Sequence, residues 1–191
     1  MAIRNFSIDA KQIFESNLLL IVCCAFYLLW WILAFKPTGG VRGMRTGWLL
    51  IPAFAAGLAA VVLAVKGIGS ASVHETLFPV RSLLWGGIAA YLILLAVTVL
   101  LFKRQATTEL FLIVGWAALA LSEINALYGI GRFSHSAAVV FLVVVGAAAL
   151  VSLVCYVLYY NLGGRAGYFD GMVPLLLVAV VAAGMSAAIL V

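Results

Sequence analysis

The chain has 191 residues, of which 67% are hydrophobic and 9% charged, an apolar content well above the roughly 45–50% of soluble domains. That balance excludes water as the main solvent. The formal charge of +5 comes from eleven basic and six acidic residues, but the basic ones stand singly or in pairs between apolar runs, which suits lipid headgroups and excludes the basic face of a nucleic-acid module.

The N-terminal segment MAIRNFSIDAKQIFESN mixes charges of both signs ahead of its apolar run, and no A-x-A-like site follows at the usual distance. The first span is therefore expected to be retained rather than cleaved as a signal peptide. Crossing about 30 Å of hydrocarbon at 1.5 Å per residue takes roughly 20 helical residues. Six runs qualify: 18–35, 48–65, 82–102, 110–129, 137–160 and 172–191. Their continuous Leu, Val and Ala runs lack period-two alternation, which favours helices over a membrane β-barrel. The expectation is an all-α, polytopic integral membrane protein. It forms a compact bundle of six transmembrane helices with short loops, one transmembrane domain over 1–191 in the lipid bilayer.

The first span contains Cys23 and Cys24. With Cys155 in the fifth, they show neither CxxC nor Cys/His spacing and read as buried small apolar residues. The span ends FYLLWWILAFKP, where Trp30 and Trp31 are interfacial anchors or rings that hold a cation. Lys36, Arg42 and Arg45 in the following loop are placed to meet lipid phosphates. The second and third spans contain AAGLAA at 55–60 and GGIAA at 86–90, and the fifth and sixth contain GAAA at 146–149 and AAGMSAA at 182–188. Such residues let helix backbones approach closely, either within one chain or against a membrane-protein partner or a second copy.

Between spans two and three, HETLFPV is expected to lie along the interface. His74 and Glu75 here, with His135, have the donor types of a metal site but no motif spacing, so no metal is assigned. The short KRQATTE connection forces spans three and four into a hairpin, with Thr107 or Thr108 capping the fourth helix and Glu109 near its positive end.

The fourth span poses the sharpest question, because its end reads ALSEINALYG. Glu123 stands nine residues before Arg132, about 13 Å along a helix from that charged end. A charge at this depth costs several kcal/mol unless it is paired, protonated or facing a hydrated cavity, and such residues are functional candidates by default. Trp116, Leu119, Ala120 and Leu127 share its face, while Ser122, Asn125, Tyr128 and Gly129 form a second polar stripe. Two polar faces place this helix in the middle of the bundle. Glu123 then binds a cationic ligand, relays a proton, or hydrogen-bonds a neighbouring span.

The fifth span ends SLVCYVLYYN, which puts Ser152, Tyr156 and Tyr159 or Tyr160 near one face. These are interfacial anchors, or aromatic walls of a vestibule shared with the end of span one, which lies on the same membrane side. Asp170, just before span six, is expected to cap that helix or to meet its dipole, with Pro174 in the first turn.

The side holding the N-terminus carries Arg4, Lys11, Lys66, Arg81 and Arg132; the other carries Lys36, Arg42, Arg45, Lys103, Arg104 and Arg165. That near balance is compatible with dual topology. The denser short loops on the second side favour cytoplasmic placement of those loops and both termini outside. The absence of recognisable organelle signals favours a bacterial cytoplasmic membrane. No hydrolase elbow, zinc-protease motif, phosphate-binding loop or dinucleotide fingerprint occurs, so a cofactor stays unassigned. The leading functional expectation is binding or translocation of a small solute, with Glu123, Ser122, Asn125, Trp116 and Tyr156 at the site and Asp170, Trp31 and Tyr128 behind them. The alternatives are an assembly or regulatory subunit of a larger membrane complex, and an intramembrane enzyme acting on a lipid-like substrate.

Overall fold

The computed structural model describes residues 7–35, 46–71, 77–100, 108–159, 161–162 and 164–191. Its helices are α1 (Ile8–Ala34), α2 (Leu50–Ala71, preceded by a 3-10 turn at Gly47–Leu49), α3 (Val80–Leu100), α4 (Thr108–Gly129), α5 (His135–Tyr159), α6 (Gly164–Asp170) and α7 (Val173–Leu190). Strands are absent among the described residues. Six of the helical segments are long and apolar enough to cross a membrane. The protein is an all-α bundle of six such helices.

Exposure is inverted relative to a soluble protein. Phe54 is 74% exposed and Ile51 71%, whereas Ser16, Asn17, Glu123, Asn125 and Ser152 are each at most 3% exposed. Lipid accepts the apolar exterior, while polar groups find partners only inside the bundle.

α1 packs against α2 and α7, α2 against α4, α4 against α5, and α5 against α7, so five helices close a ring; α3 packs chiefly on the outside of α4. Near the membrane side that holds residue 7 and the end of α4, the ring is filled by Ile13, Ile124, Leu127, Val145, Met185 and Ile189. Two glycines on α2 allow the tight approach of α1. A Cβ at Gly67 would fall 2.8 Å from Ile13 Cγ1, and one at Gly57 would fall 3.1 Å from Cys23 Sγ. Gly86, by contrast, faces open space.

α1 begins ten residues ahead of the apolar run that marks the first span. Ser7 caps it, its Oγ accepting from the Ala10 N–H at 3.2 Å, and Ser70 Oγ on α2 donates to Asp9 Oδ1 at 2.6 Å. Those contacts hold a polar first turn that hydropathy alone assigns to the flank. At the far end of α4, Gly131 adopts φ 71°, and the Gly131 and Arg132 N–H groups close onto the carbonyls of Tyr128 and Leu127, both at 2.9 Å. This left-handed stop satisfies the last carbonyls of α4. Ser134 then caps α5 through the Ala137 N–H.

The sixth run read in the sequence, 172–191, is α7, but the connection ahead of it is not simply a loop. Residues Gly164–Asp170 form a short helix of their own, and α7 takes Met172 as its N-cap with no side-chain cap bond. Asp170 is therefore not the cap of the last span. It ends α6, because the turn at Gly171 and Met172 intervenes before α7 starts. The caps considered at Thr107 and Thr108, the loop around Arg42 and Arg45, and the pair His74 and Glu75 fall on residues or side chains outside those described.

Candidate functional site

Glu123 lies in α4 facing the start of α1, and it is 3% exposed. Asn17 Nδ2 donates to Glu123 Oε2 at 2.8 Å and spends its other proton on the Ile13 carbonyl at 3.0 Å. Ser16 Oγ stands 2.8 Å from the Ala60 carbonyl and 3.2 Å from Glu123 Oε1, its one proton shared between them. The carboxyl group thus joins α1, α2 and α4 across the ring. Its partners come from the polar flank ahead of the first apolar run, where only the extra turns of α1 carry them to membrane depth.

The second polar stripe on α4 is also occupied. Asn125 grips the backbone of Phe78 from both sides, its Nδ2 donating to the Phe78 carbonyl at 2.9 Å and its Oδ1 accepting from the Phe78 N–H at 3.1 Å. That pair satisfies the chain just before Pro79, where no helix supplies partners. Instead of lying loose on the interface, the end of this connection is thereby docked: Leu77 packs against the core. Ser122 Oγ donates to the Ala118 carbonyl at 2.7 Å, one turn back on its own helix, and the Tyr128 ring meets His135 edge-on at 6.1 Å.

The opposite half of the ring is not filled. Between α1, α4, α5 and the start of α7 lies a cavity of about 220 Å³. Tyr27 and Trp31 line it from α1, Glu109 and Trp116 from α4, Ser152, Cys155 and Tyr156 from α5, and Asp170 and Gly171 from the α6–α7 turn. Of the residues singled out from the sequence, Trp116, Tyr156, Trp31 and Asp170 meet here. Glu123, Ser122, Asn125 and Tyr128 are not among the lining residues. Glu123 and Trp116 share one face of α4 but stand seven residues apart, roughly 10 Å along the axis.

The walls are set by a few specific contacts. Trp31 Nε1 donates to the Tyr168 carbonyl at 3.1 Å, and its ring packs on Phe35 and Tyr159 with centroids 4.5 and 5.9 Å away. The indole lies so close to Gly171 that any Cβ there would overlap it. Only glycine lets the α6–α7 turn press on that ring. Two oxygens on the walls stand out. Ser152 is 1% exposed, yet its Oγ has no hydrogen-bond partner among the described residues, and neither has the buried Asp170 Oδ2. Ser122 and Thr98 show the usual remedy, a bond to the carbonyl four residues back at 2.7 Å, and Ser152 does not take it.

Compared with protein-family models, curated proteins and solved structures, the chain matches none. Functional inference therefore rests on the two polar regions themselves. Among the described residues no three or more His, Cys, Asp or Glu side chains group closely enough to hold a metal ion. Ser16, Asn17 and Gly171 are the residues that sequence reasoning left out. The first two carried a faint signal in their helical spacing from Ile13, whereas nothing in GYFDGMVP marks Gly171 as the seat of a tryptophan from another helix.

Proposed function

We propose that this protein binds, and by binding carries or presents, a small solute in the cavity between α1, α4, α5 and α7. The observation that supports the reading is the cavity with its walls: about 220 Å³ of space at the height of the α5 C-terminus, lined by tryptophan and tyrosine rings and two oxygens without hydrogen-bond partners among the described residues. A concave, mainly apolar site with a few convergent polar groups is the usual form of a small-molecule site. Trp116 and Tyr156 are its walls, Trp31 and Asp170 its rim. In this reading Glu123 sets the geometry of the site from below, by fixing α4 to α1, and does not touch the solute. We further place the protein in a bacterial cytoplasmic membrane with both termini outside, so that the cavity lies nearer the cytoplasmic face.

The test is native mass spectrometry of gently detergent-extracted wild type and Ser152→Leu, a change that places a branched side chain in the cavity. A small molecule carried by the wild type and lost from the variant is the expected result. One observation favours a second reading, as a subunit of a membrane complex: α3 has its Gly86, Ala89 and Ala90 exposed and packs chiefly on one helix. A protein partner retained on both forms, with no small molecule on either, would replace the solute reading by that one.

A further inference from the structure

The solute-binding reading leaves open what kind of molecule enters, and the charges on the walls narrow it. We infer that the cavity takes a small organic cation, an ammonium-type head on a short apolar body. This inference rests on the proposed binding site and adds the chemical class of its ligand.

Three features of the site converge on that class. The partly buried Asp170, whose carboxylate stands beside the Cys155 thiol, keeps one oxygen, Oδ2, buried on the cavity wall without a hydrogen-bond partner among the described residues, and Ser152 Oγ likewise lacks one. A buried carboxylate is costly until a cation or donors reach it. Among the described lining residues there is no lysine, arginine or histidine to do so. Tyr27, Trp31, Trp116 and Tyr156 supply ring walls, and aromatic faces attract ammonium groups most strongly where water is excluded.

Other ligand classes fit less well. An anion would meet the carboxylates of Asp170 and Glu109, and no lysine, arginine or histidine is among the described lining residues. A bare metal ion needs more oxygen or nitrogen ligands than the described residues group together here. A purely apolar molecule would leave Ser152 Oγ and Asp170 Oδ2 unsatisfied against it. The volume, about 220 Å³, lies below the roughly 300–1,000 Å³ of sites for drug-sized ligands. It therefore suits a head and one ring or short chain.

The experiment compares benzyltrimethylammonium with neopentylbenzene, its neutral isostere, in equilibrium binding to the protein in lipid nanodiscs, corrected with empty nanodiscs. Wild type is expected to bind the cation more tightly than the isostere. Asp170→Asn should weaken the cation at least about tenfold, the effect of losing one charged partner in a desolvated site, and leave the isostere unchanged. The isostere comparison uses wild-type protein alone, so poor folding of the variant does not blunt it. Equal binding of the two probes, or preference for the neutral one, overturns the cation inference while leaving the cavity as a binding site. Binding of neither removes the inference together with the reading on which it rests.

Discussion

The two polar regions of α4's inward face make an instructive pair. At Glu123 a carboxyl group deep in the bundle is matched by donors from Asn17 and Ser16, and it does not line the cavity. About two turns away, at the level of Trp116, the same ring of helices is open, and Ser152 Oγ and Asp170 Oδ2 on its walls have no hydrogen-bond partner among the described residues. In a membrane, an ionisable group deep in a span is the first candidate for function. Here the more exceptional atoms are a serine hydroxyl and an aspartate oxygen nearer the interface. What separates a latch from a binding site is the state of the neighbours, since a polar group whose partners are complete has nothing left to offer a ligand.

The comparison breaks most sharply at Glu123. Glu123→Leu removes an acceptor from Ser16 and from Asn17 at once and should cost about 3 kcal/mol, since each buried polar group left unsatisfied costs about 1–3 kcal/mol. Reversible unfolding in detergent micelles would measure it, and a loss below 1 kcal/mol would show that the latch is not structural. A smaller effect is expected on the cavity side. Gly171→Ala pushes a methyl into the Trp31 indole, and overpacking of this kind costs about 1–3 kcal/mol. The indole must tilt and its bond to the Tyr168 carbonyl must lengthen, so tryptophan fluorescence should shift along with stability.

The smallest effect sharpens the contrast. Glutamine at position 123 reproduces the whole set: its carbonyl accepts from Asn17, its amide donates to Ser16 Oγ, and the Ser16 proton passes wholly to the Ala60 carbonyl. Glu123→Gln should therefore stay within about 1 kcal/mol of wild type, the scale of one intramembrane hydrogen bond, and keep solute binding. Abolished binding in a stably folded Glu123→Gln protein would return the glutamate to the center of function.

Much of the architecture was legible in the chain because lipid imposes a simple rule. Backbone polar groups must be satisfied within each span, so uninterrupted apolar runs declare helices. Local signals marked some ends as well, such as the glycine that stops α4 in the left-handed conformation. Asn125 and Glu123 were legible as polar groups at depth, but their partners were not. Asn17 is 106 residues from Glu123, and Phe78 is 47 from Asn125. Nothing in helical periodicity pairs positions so far apart. Hydropathy also misplaced the start of α1, because Asp9, Lys11 and Glu15 look like a soluble flank until Ser7 and Ser70 are seen to hold that turn.

Composition and run length by themselves determined that this chain lives in a membrane as a helical bundle, since the bilayer acts on average hydrophobicity over about 20 residues and needs no tertiary detail. Only the tertiary structure decided which polar group was spent and which was left over. A hydrogen bond depends on angstrom-scale proximity between helices, and so does the cavity: it exists where the rings of α1, α4 and α5 and the turn on Gly171 stop short of meeting. Each wall is written locally in the sequence, but the space between the walls is set by how all four helices pack together.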